Sequence, residues 1–104
     1  MSDQPFTIAF IGRTEPEMVD AAAAYEDAVL TLLPDHGARV LYRGRRAAGQ
    51  DPSLPAEVHL LWFPSQSAFE EYLADPRRHA LIAAHGEVFS DKTVVELDEV
   101  ASTP

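Results

Sequence analysis

One histidine stands in the middle of the most apolar run of the chain. His59 lies within 57–63, which reads EVHLLWF, and we expect burial there to take its imidazole partly out of water. An imidazole takes up and releases a proton near neutral pH, so His59 is a candidate general base. The alternative is a histidine that only satisfies a hydrogen bond with a neighbour, as most buried polar groups do.

Aromatic residues with polar atoms form a second group of candidates. Tyr25, Tyr72 and Trp62 can line a pocket between helices and sheet, where rings hold a planar ligand by stacking and a phenol donates to a developing oxyanion. We assign Tyr25 and Tyr72 a catalytic role, and we assign Trp62 and Phe10 to ligand binding. The alternative is core packing, the usual role of apolar stripes at helical spacing.

Charged residues form a third group. Arginines at 39, 43, 45 and 46 make a local basic patch in an acidic chain, and Arg43 is a candidate for binding a carboxylate or phosphate of a ligand. These arginines can equally pair with acids of a partner chain or protect an edge strand. Glu96 can form an acid–base pair with His59 if the strand register brings the two side chains together.

The other histidines do not form a metal-binding pattern. His79 and His85 are six residues apart, so one helix cannot direct both at a single ion. His36 lies in a predicted turn, where we expect it to be solvated. The chain has no cysteine, which excludes disulfides, thiolate nucleophiles and thiolate metal sites. We therefore predict neither a metal nor a cofactor.

Length and charge exclude several classes of protein. The 104 residues include 17 acidic and 8 basic side chains, for a formal net charge of −9, which is the wrong sign for binding nucleic acid or anionic lipid. This length predicts a single domain, 1–104, with loosely held ends at about 1–5 and 99–104. No segment reads as a signal peptide or a membrane span, so we expect a cytoplasmic protein.

Four segments have the composition of β-strands. The second of them carries arginines on one parity, which is typical of an edge strand, and the segment between the second and third strands contains glycine and prolines and is predicted to be a loop. The predicted strands are 6–11, 38–45, 57–63 and 92–97.

Two helical regions separate these strands. Thr14 followed by Glu17 is a capping pattern that predicts the start of the first helix, and Glu26 is expected on its solvated side. The second helix begins after Ser65 and is interrupted at 75–76, an Asp-Pro step that starts a new helical turn. The apolar stripe of the first helix consists of Met18, Ala22, Tyr25, Val29 and Leu32.

The order β-α-β-β-α-β predicts an α+β fold of the ferredoxin-like type, a four-stranded antiparallel sheet with both helices on one face. Both parities of the first and third strands are apolar, so the face without helices is apolar as well. We expect a second copy of the chain to cover it and to form a homodimer.

The chain resembles a known family over residues 57–85. The segment from Glu57 through Phe63-Pro64-Ser65, followed by Ala68, Tyr72, Asp75-Pro76 and Leu81, is similar to the signature of the domain of unknown function 1330 family. That resemblance implies a dimeric α+β barrel in which two ferredoxin-like protomers face their sheets together, as in the cofactor-independent antibiotic-biosynthesis monooxygenases and muconolactone-isomerase-like proteins.

These observations leave three functions open. The first is a small-molecule-binding dimer that acts on an aromatic or polyketide-like compound without a cofactor, as a monooxygenase, isomerase or cyclase, with His59 as base, Tyr25 or Tyr72 as donor and Trp62 as pocket wall. The second is a non-catalytic ligand-sensing module, and the third is a structural dimer whose pocket is filled by side chains. A cavity of about 300 Å³ or more beside His59 would favour the first two.

Overall fold

The structure, a computed structural model, describes residues 4–100. It contains a four-stranded antiparallel sheet in the order β2-β3-β1-β4, with the helices packed on one side, which confirms the predicted ferredoxin-like architecture. Most of the predicted loosely held ends lies outside the described residues. The elements are β1 (Phe6–Arg13), α1 (Val19–Val29), β2 (Arg39–Arg45), β3 (Glu57–Phe63), α2 (Gln66–Leu73), α3 (Pro76–His85) and β4 (Asp91–Leu97).

The first helical region starts differently from the prediction. A short 3-10 turn at Pro16–Met18 precedes α1, and no side chain caps either element. The hydroxyl of Thr14 is buried without a hydrogen-bond partner, so the expected capping box is wrong. Proline fixes the backbone at the start of the turn, which makes a side-chain cap unnecessary for initiation. A second 3-10 segment, Leu30–His36, ends at Gly37 with φ of 71°, a left-handed conformation that glycine adopts without strain.

The second helical region is divided in two, as predicted. The side chain of Ser65 accepts a hydrogen bond from the amide of Ala68 at 3.0 Å and caps α2. Asp75 accepts one from the amide of Arg77 at 2.9 Å, and Pro76 occupies the first position of α3. Each helix therefore has its own N-terminal cap, and the chain turns between them.

Strand register determines which residues face the helices. Phe10 lies opposite His59, and His59 lies opposite Arg43 on the other neighbouring strand. Because paired residues of adjacent strands share a face, these three side chains point to the helix side. The apolar core lies on that side, between the sheet and the helices, and includes Ile8, Ala22, Tyr25, Val29, Leu32, Leu33, Leu61, Phe63, Tyr72, Val88 and Phe89.

An irregularity in β2 separates the arginines that share a parity in the sequence. The register shifts between Val40 and Tyr42, so Arg39 lies opposite Trp62 on one face, while Arg43 lies opposite His59 on the other. The prediction that these arginines line one face is therefore wrong, because one extra residue in a strand reverses the direction of every later side chain.

The sheet face without helices, which we call the open face, is not covered by any element of residues 4–100. Seven residues of β4 are exposed, and the open face presents apolar side chains on all four strands. They include Ala9, Ile11, Tyr42, Val58, Leu60, Trp62, Val95 and Leu97. In the part of the chain that the structure describes, no helix has the length and apolarity needed to cross a membrane.

Candidate functional site

A chain of buried charges lies between the sheet and α1. Nε2 of His59 is 2.7 Å from Oε1 of Glu57, and Nδ1 of His59 is 3.6 Å from Oε2 of Glu26. His59, Glu57 and Glu26 are 1%, 2% and 5% exposed. Ionisable side chains are rarely buried so completely unless they are paired, so these three residues are the strongest candidates for chemistry.

Arg43 continues this chain of charges to the protein surface. Its Nε and Nη2 donate to the two carboxylate oxygens of Glu57 at 2.9 and 3.1 Å, and its Nη1 donates to Asp27 at 2.7 Å. Burial acts to raise the pKa of Glu57, but the hydrogen bonds from His59 and Arg43 hold that pKa below its ordinary value. Arg43 thus binds carboxylates of its own chain, a pairing that was not among the alternatives considered from sequence.

Glu26 occupies a different environment from the one predicted. Burial raises the pKa of Glu26 from 4.5 to about 7, while the charge of His59 lowers it and that of Glu57 raises it. The expectation that Glu26 lies on the solvated side of the helix is wrong. It follows Ala22 by four residues and precedes Val29 by three, which is the spacing of the buried stripe. That spacing is the sequence signal that identifies this residue.

A pair of phenylalanines covers His59. The ring of Phe10 stacks on the imidazole with centroids 5.0 Å apart, and Phe89 meets Phe10 edge-on at 5.3 Å. Phe89 lies over Gly12, where a Cβ atom would come within 2.6 Å of its ring. The absence of a side chain at Gly12 therefore allows Phe89 to close over the sheet beside the buried charges.

A cleft opens on the far side of Phe89, between α3 and the segment that leads into β4. Its volume is about 310 Å³, within the range of small-molecule sites. We call it the helix-side cleft. His59 does not line it, because Phe10 and Phe89 stand between them. The lining residues are Tyr25, Ile82, Ala83, Gly86, Glu87, Val88, Phe89 and Lys92.

The two candidate tyrosines occupy different positions. Tyr25 lines the helix-side cleft and contacts His85 edge-on, with ring centroids 5.7 Å apart. Tyr72 is packed in the core beside Phe63. Burial raises the pKa of both phenols, that of Tyr72 to about 12, so both remain protonated donors near neutral pH. Tyr25 is the one that a ligand in the cleft can meet.

Trp62 lies away from this group, on the open face. The guanidinium of Arg39 stacks over the indole, 4.4 Å from its centroid. Trp62 and His59 have opposite parity in β3, so they project to opposite faces of the sheet. The prediction that Trp62 lines one pocket with Tyr25 and Tyr72 is therefore wrong.

Glu96 is also remote from His59. It pairs with Ile8, whereas His59 pairs with Phe10, which puts the Cα atoms two strands and two residues apart, about 12 Å. The predicted acid–base pair does not form at this register. Glu96 and Trp62 instead line a separate cleft of about 890 Å³ at one end of the sheet.

His36 is engaged rather than solvated. Its Nε2 lies 2.8 Å from Oδ2 of Asp75, and its side chain is only 13% exposed. Hydrogen bonds from Arg77 and His36 hold the pKa of Asp75 well below its ordinary value. The pair ties the chain before β2 to the start of α3, so this histidine has a structural contact that the turn pattern did not predict. Among residues 4–100, no cluster of three or more His, Asp or Glu side chains has the arrangement of a metal site.

Comparisons with known proteins show the fold. No protein-family model matches the chain, and no curated protein does. The chain is similar in structure to a protein of unknown function from Rhodopseudomonas palustris, with a TM-score of 0.76, 19% identity and coverage of 97% of this chain and 86% of that one. It is similar to an antibiotic biosynthesis monooxygenase, with a TM-score of 0.67, 19% identity and coverage of 94% and 100%.

A third similar structure comes from Thermobifida fusca and is described as a dimeric ferredoxin-like protein of unknown function. Its TM-score is 0.65, with 12% identity and coverage of 93% of this chain and 92% of that one. At these identities the likeness defines the class of protein, a ferredoxin-like α+β fold. It does not transfer an activity, because one fold carries many functions.

Proposed function

We propose that this chain is a homodimeric α+β barrel protein that binds an aromatic or polyketide-like small molecule in the helix-side cleft and acts on it by proton transfer without a cofactor. His59 is the base and Tyr25 the hydrogen-bond donor. The reaction belongs to the monooxygenase, isomerase or cyclase type. The likeness to an antibiotic biosynthesis monooxygenase and the resemblance of residues 57–85 to the domain of unknown function 1330 family agree with this proposal.

The observation that carries the proposal is the buried chain from Arg43 through Glu57 and His59 to Glu26. A core that served stability alone would gain little from four ionisable groups, since replacing buried ion pairs by apolar residues is often neutral or stabilising. Within this chain of charges, only the rings of Phe10 and Phe89 separate His59 from a cleft of ligand size. Movement of Phe10 and Phe89 away from His59 would join the cleft to the imidazole and give a ligand access to the base.

The open face supports the dimer. Its apolar side chains lie on all four strands, and one similar structure is described as dimeric. Burial of this face against a second copy would give each protomer a sheet covered on both sides, by helices and by the partner sheet. The helix-side cleft remains open in such a dimer, because it lies on the opposite side of the sheet.

The proposed activity can be tested with an aromatic compound whose ring CH₂ group loses a proton to a base. We expect the protein to accelerate oxygen consumption by 1,8-dihydroxyanthrone, or, without oxygen, exchange of its ring CH₂ protons with deuterated water followed by NMR. His59→Gln should lower either rate at least tenfold, while His79→Ala, which removes an exposed histidine of α3, should not change it. Rates equal to those of buffer alone, or unchanged in His59→Gln, would contradict the assignment of His59 as base.

One observation favours a second candidate, a non-catalytic ligand-sensing or structural dimer. Both ring nitrogens of His59 already face carboxylates of the same chain, and its side chain is 1% exposed. In a non-catalytic protein, the buried charges would fix the position of α1 on the sheet. Ligand binding without any change in the rates above would favour the sensing module, and the absence of both would favour the structural dimer.

A further inference from the structure

The helix-side cleft contains the only lysine of the chain. Seven of the eight basic residues are arginines, and the eighth is Lys92. In the register of the sheet Lys92 lies opposite Gly12, so its side chain starts on the helix face, beside the ring of Phe89 that covers Gly12. The register thus places the positive charge of Lys92 beside the ring of Phe89.

Lys92 has no counterion in the part of the chain that the structure describes. Among residues 4–100, no carboxylate oxygen lies within 4.0 Å of its ammonium group. The neighbouring acid on the strand, Asp91, pairs with Arg13 at 3.4 Å, and Glu26 lies next to His59. Glu87, the one acid that lines the cleft, is not paired with Lys92. Although the chain has a net charge of −9, the ammonium group of Lys92 beside this apolar cleft is unpaired among residues 4–100.

Tyr25 adds a neutral hydrogen-bond donor to the same cleft. Burial raises the pKa of its phenol, so the hydroxyl keeps its proton near neutral pH. Among the residues that the structure describes, the Tyr25 hydroxyl has no hydrogen-bond partner. An unpaired ammonium, a free phenol and the ring of Phe89 are the complement of a flat molecule that carries a negative group at one end.

We propose that the helix-side cleft selects planar aromatic anions, carboxylates or phenolates, with the ring against Phe89 and the negative oxygen bound by Lys92 and Tyr25. This inference rests on the proposed function and names its substrate class. An aromatic or polyketide-like compound that carries a phenol or a carboxylic acid becomes such an anion when that group loses its proton. Lys92 is therefore a specificity-determining residue, since it favours the ionised compound over the neutral one.

Two probes of nearly equal shape test this inference. The binding of 1-naphthoate and of 1-naphthamide to the whole chain is measured by isothermal titration calorimetry at pH 7.5 and low salt. We expect wild-type protein to bind naphthoate about tenfold more tightly than naphthamide, and Lys92→Met to abolish that preference. Lys92→Arg should retain most of it, because a guanidinium also binds a carboxylate. Tyr25→Phe should weaken naphthoate binding about threefold.

Arg39→Met is the matched control. It removes one positive charge from the open face, where Arg39 stacks on Trp62, and because it lies outside the cleft it should leave the preference unchanged. Equal binding of the two probes to wild-type protein, or an unchanged preference in Lys92→Met, would overturn the selection of anions and leave the cleft as a binding site. Failure of both probes to bind would overturn the proposed small-molecule site itself.

Discussion

Nε2 of His59 donates a hydrogen bond to Oε1 of Glu57 over 2.7 Å, and the two residues belong to the same strand. Residues two apart in a strand share a face, so β3 itself builds this pair. The pKa of Glu57 lies below its ordinary value, and its ionised carboxylate can only accept, which assigns the proton to Nε2. Nδ1 is then the nitrogen that faces Glu26 and can accept a proton.

His59 is expected to stabilise the fold. His59→Ala leaves Glu57 with one hydrogen-bond partner fewer and a cavity beneath Phe10, and we expect it to lower the free energy of unfolding by about 3 kcal/mol. Urea denaturation at pH 7 measures this loss. His79→Ala, which removes an exposed histidine of α3, should change the same quantity by less than about 0.5 kcal/mol. Equal effects of the two substitutions would show that the buried charges do not support the core.

The stability of the protein should fall as pH rises through neutrality, in part because of Glu26. The folded protein retains the proton of Glu26 up to a pKa of about 7, whereas the unfolded chain releases it near 4.5. The contribution of this group is therefore complete below pH 4.5 and is lost as pH rises through 7. We expect Glu26→Gln to gain roughly 3 kcal/mol relative to wild type between pH 4.5 and pH 8.

Urea denaturation at several pH values provides the measurement for Glu26. The matched control is Asp20→Asn, which removes an exposed acid from the same helix and should give a curve parallel to that of wild type. If Glu26→Gln also runs parallel to wild type, then Glu26 does not hold its proton in the folded state.

The strongest sequence signals concern elements whose hydrophobic pattern and capping residues lie within the same short segment. The EVHLLWF run of β3 is apolar on both parities, and the Asp-Pro step at 75–76 brings its own cap and its own backbone restriction. Both were predicted from a few neighbouring residues and both are confirmed. The element order follows from such segments, and it leads to the ferredoxin-like fold.

The site depends on relationships that a single segment does not contain. The irregularity in β2 that separates Arg39 from Arg43 lies in its pairing with β3. The residue types around Leu41 do not predict it. An acid on an amphipathic helix is expected to be solvated, but Glu26 lies beside three ionisable groups contributed by β2 and β3. Its partners become visible only when the register is known.

Gly12 should be intolerant of a side chain. A Cβ atom there would lie 2.6 Å from the ring of Phe89, so Gly12→Ala must displace Phe89 and should lower the free energy of unfolding by about 2 kcal/mol. Phe89→Leu in the same chain should recover part of that loss, because a smaller side chain leaves room for the methyl group. A double-mutant cycle by urea denaturation measures the coupling. Strictly additive effects would contradict the packing of Phe89 on Gly12.

A charge on the open face should separate the two copies of the proposed dimer. Val95 lies on this face of β4, opposite Ala9, and is 41% exposed in the protomer, while Leu73 of α2 is 38% exposed on the helix side. Because symmetry repeats the substitution, Val95→Glu puts two unpaired carboxylates into the interface and should weaken dimerisation about 100-fold or more. Leu73→Glu, matched in exposure and chemistry, should leave dimerisation unchanged.

Sedimentation velocity over a range of concentrations gives the dissociation constants of both variants. Wild-type protein that sediments as a monomer at every concentration would contradict the homodimer, and equal weakening by both substitutions would place the interface elsewhere.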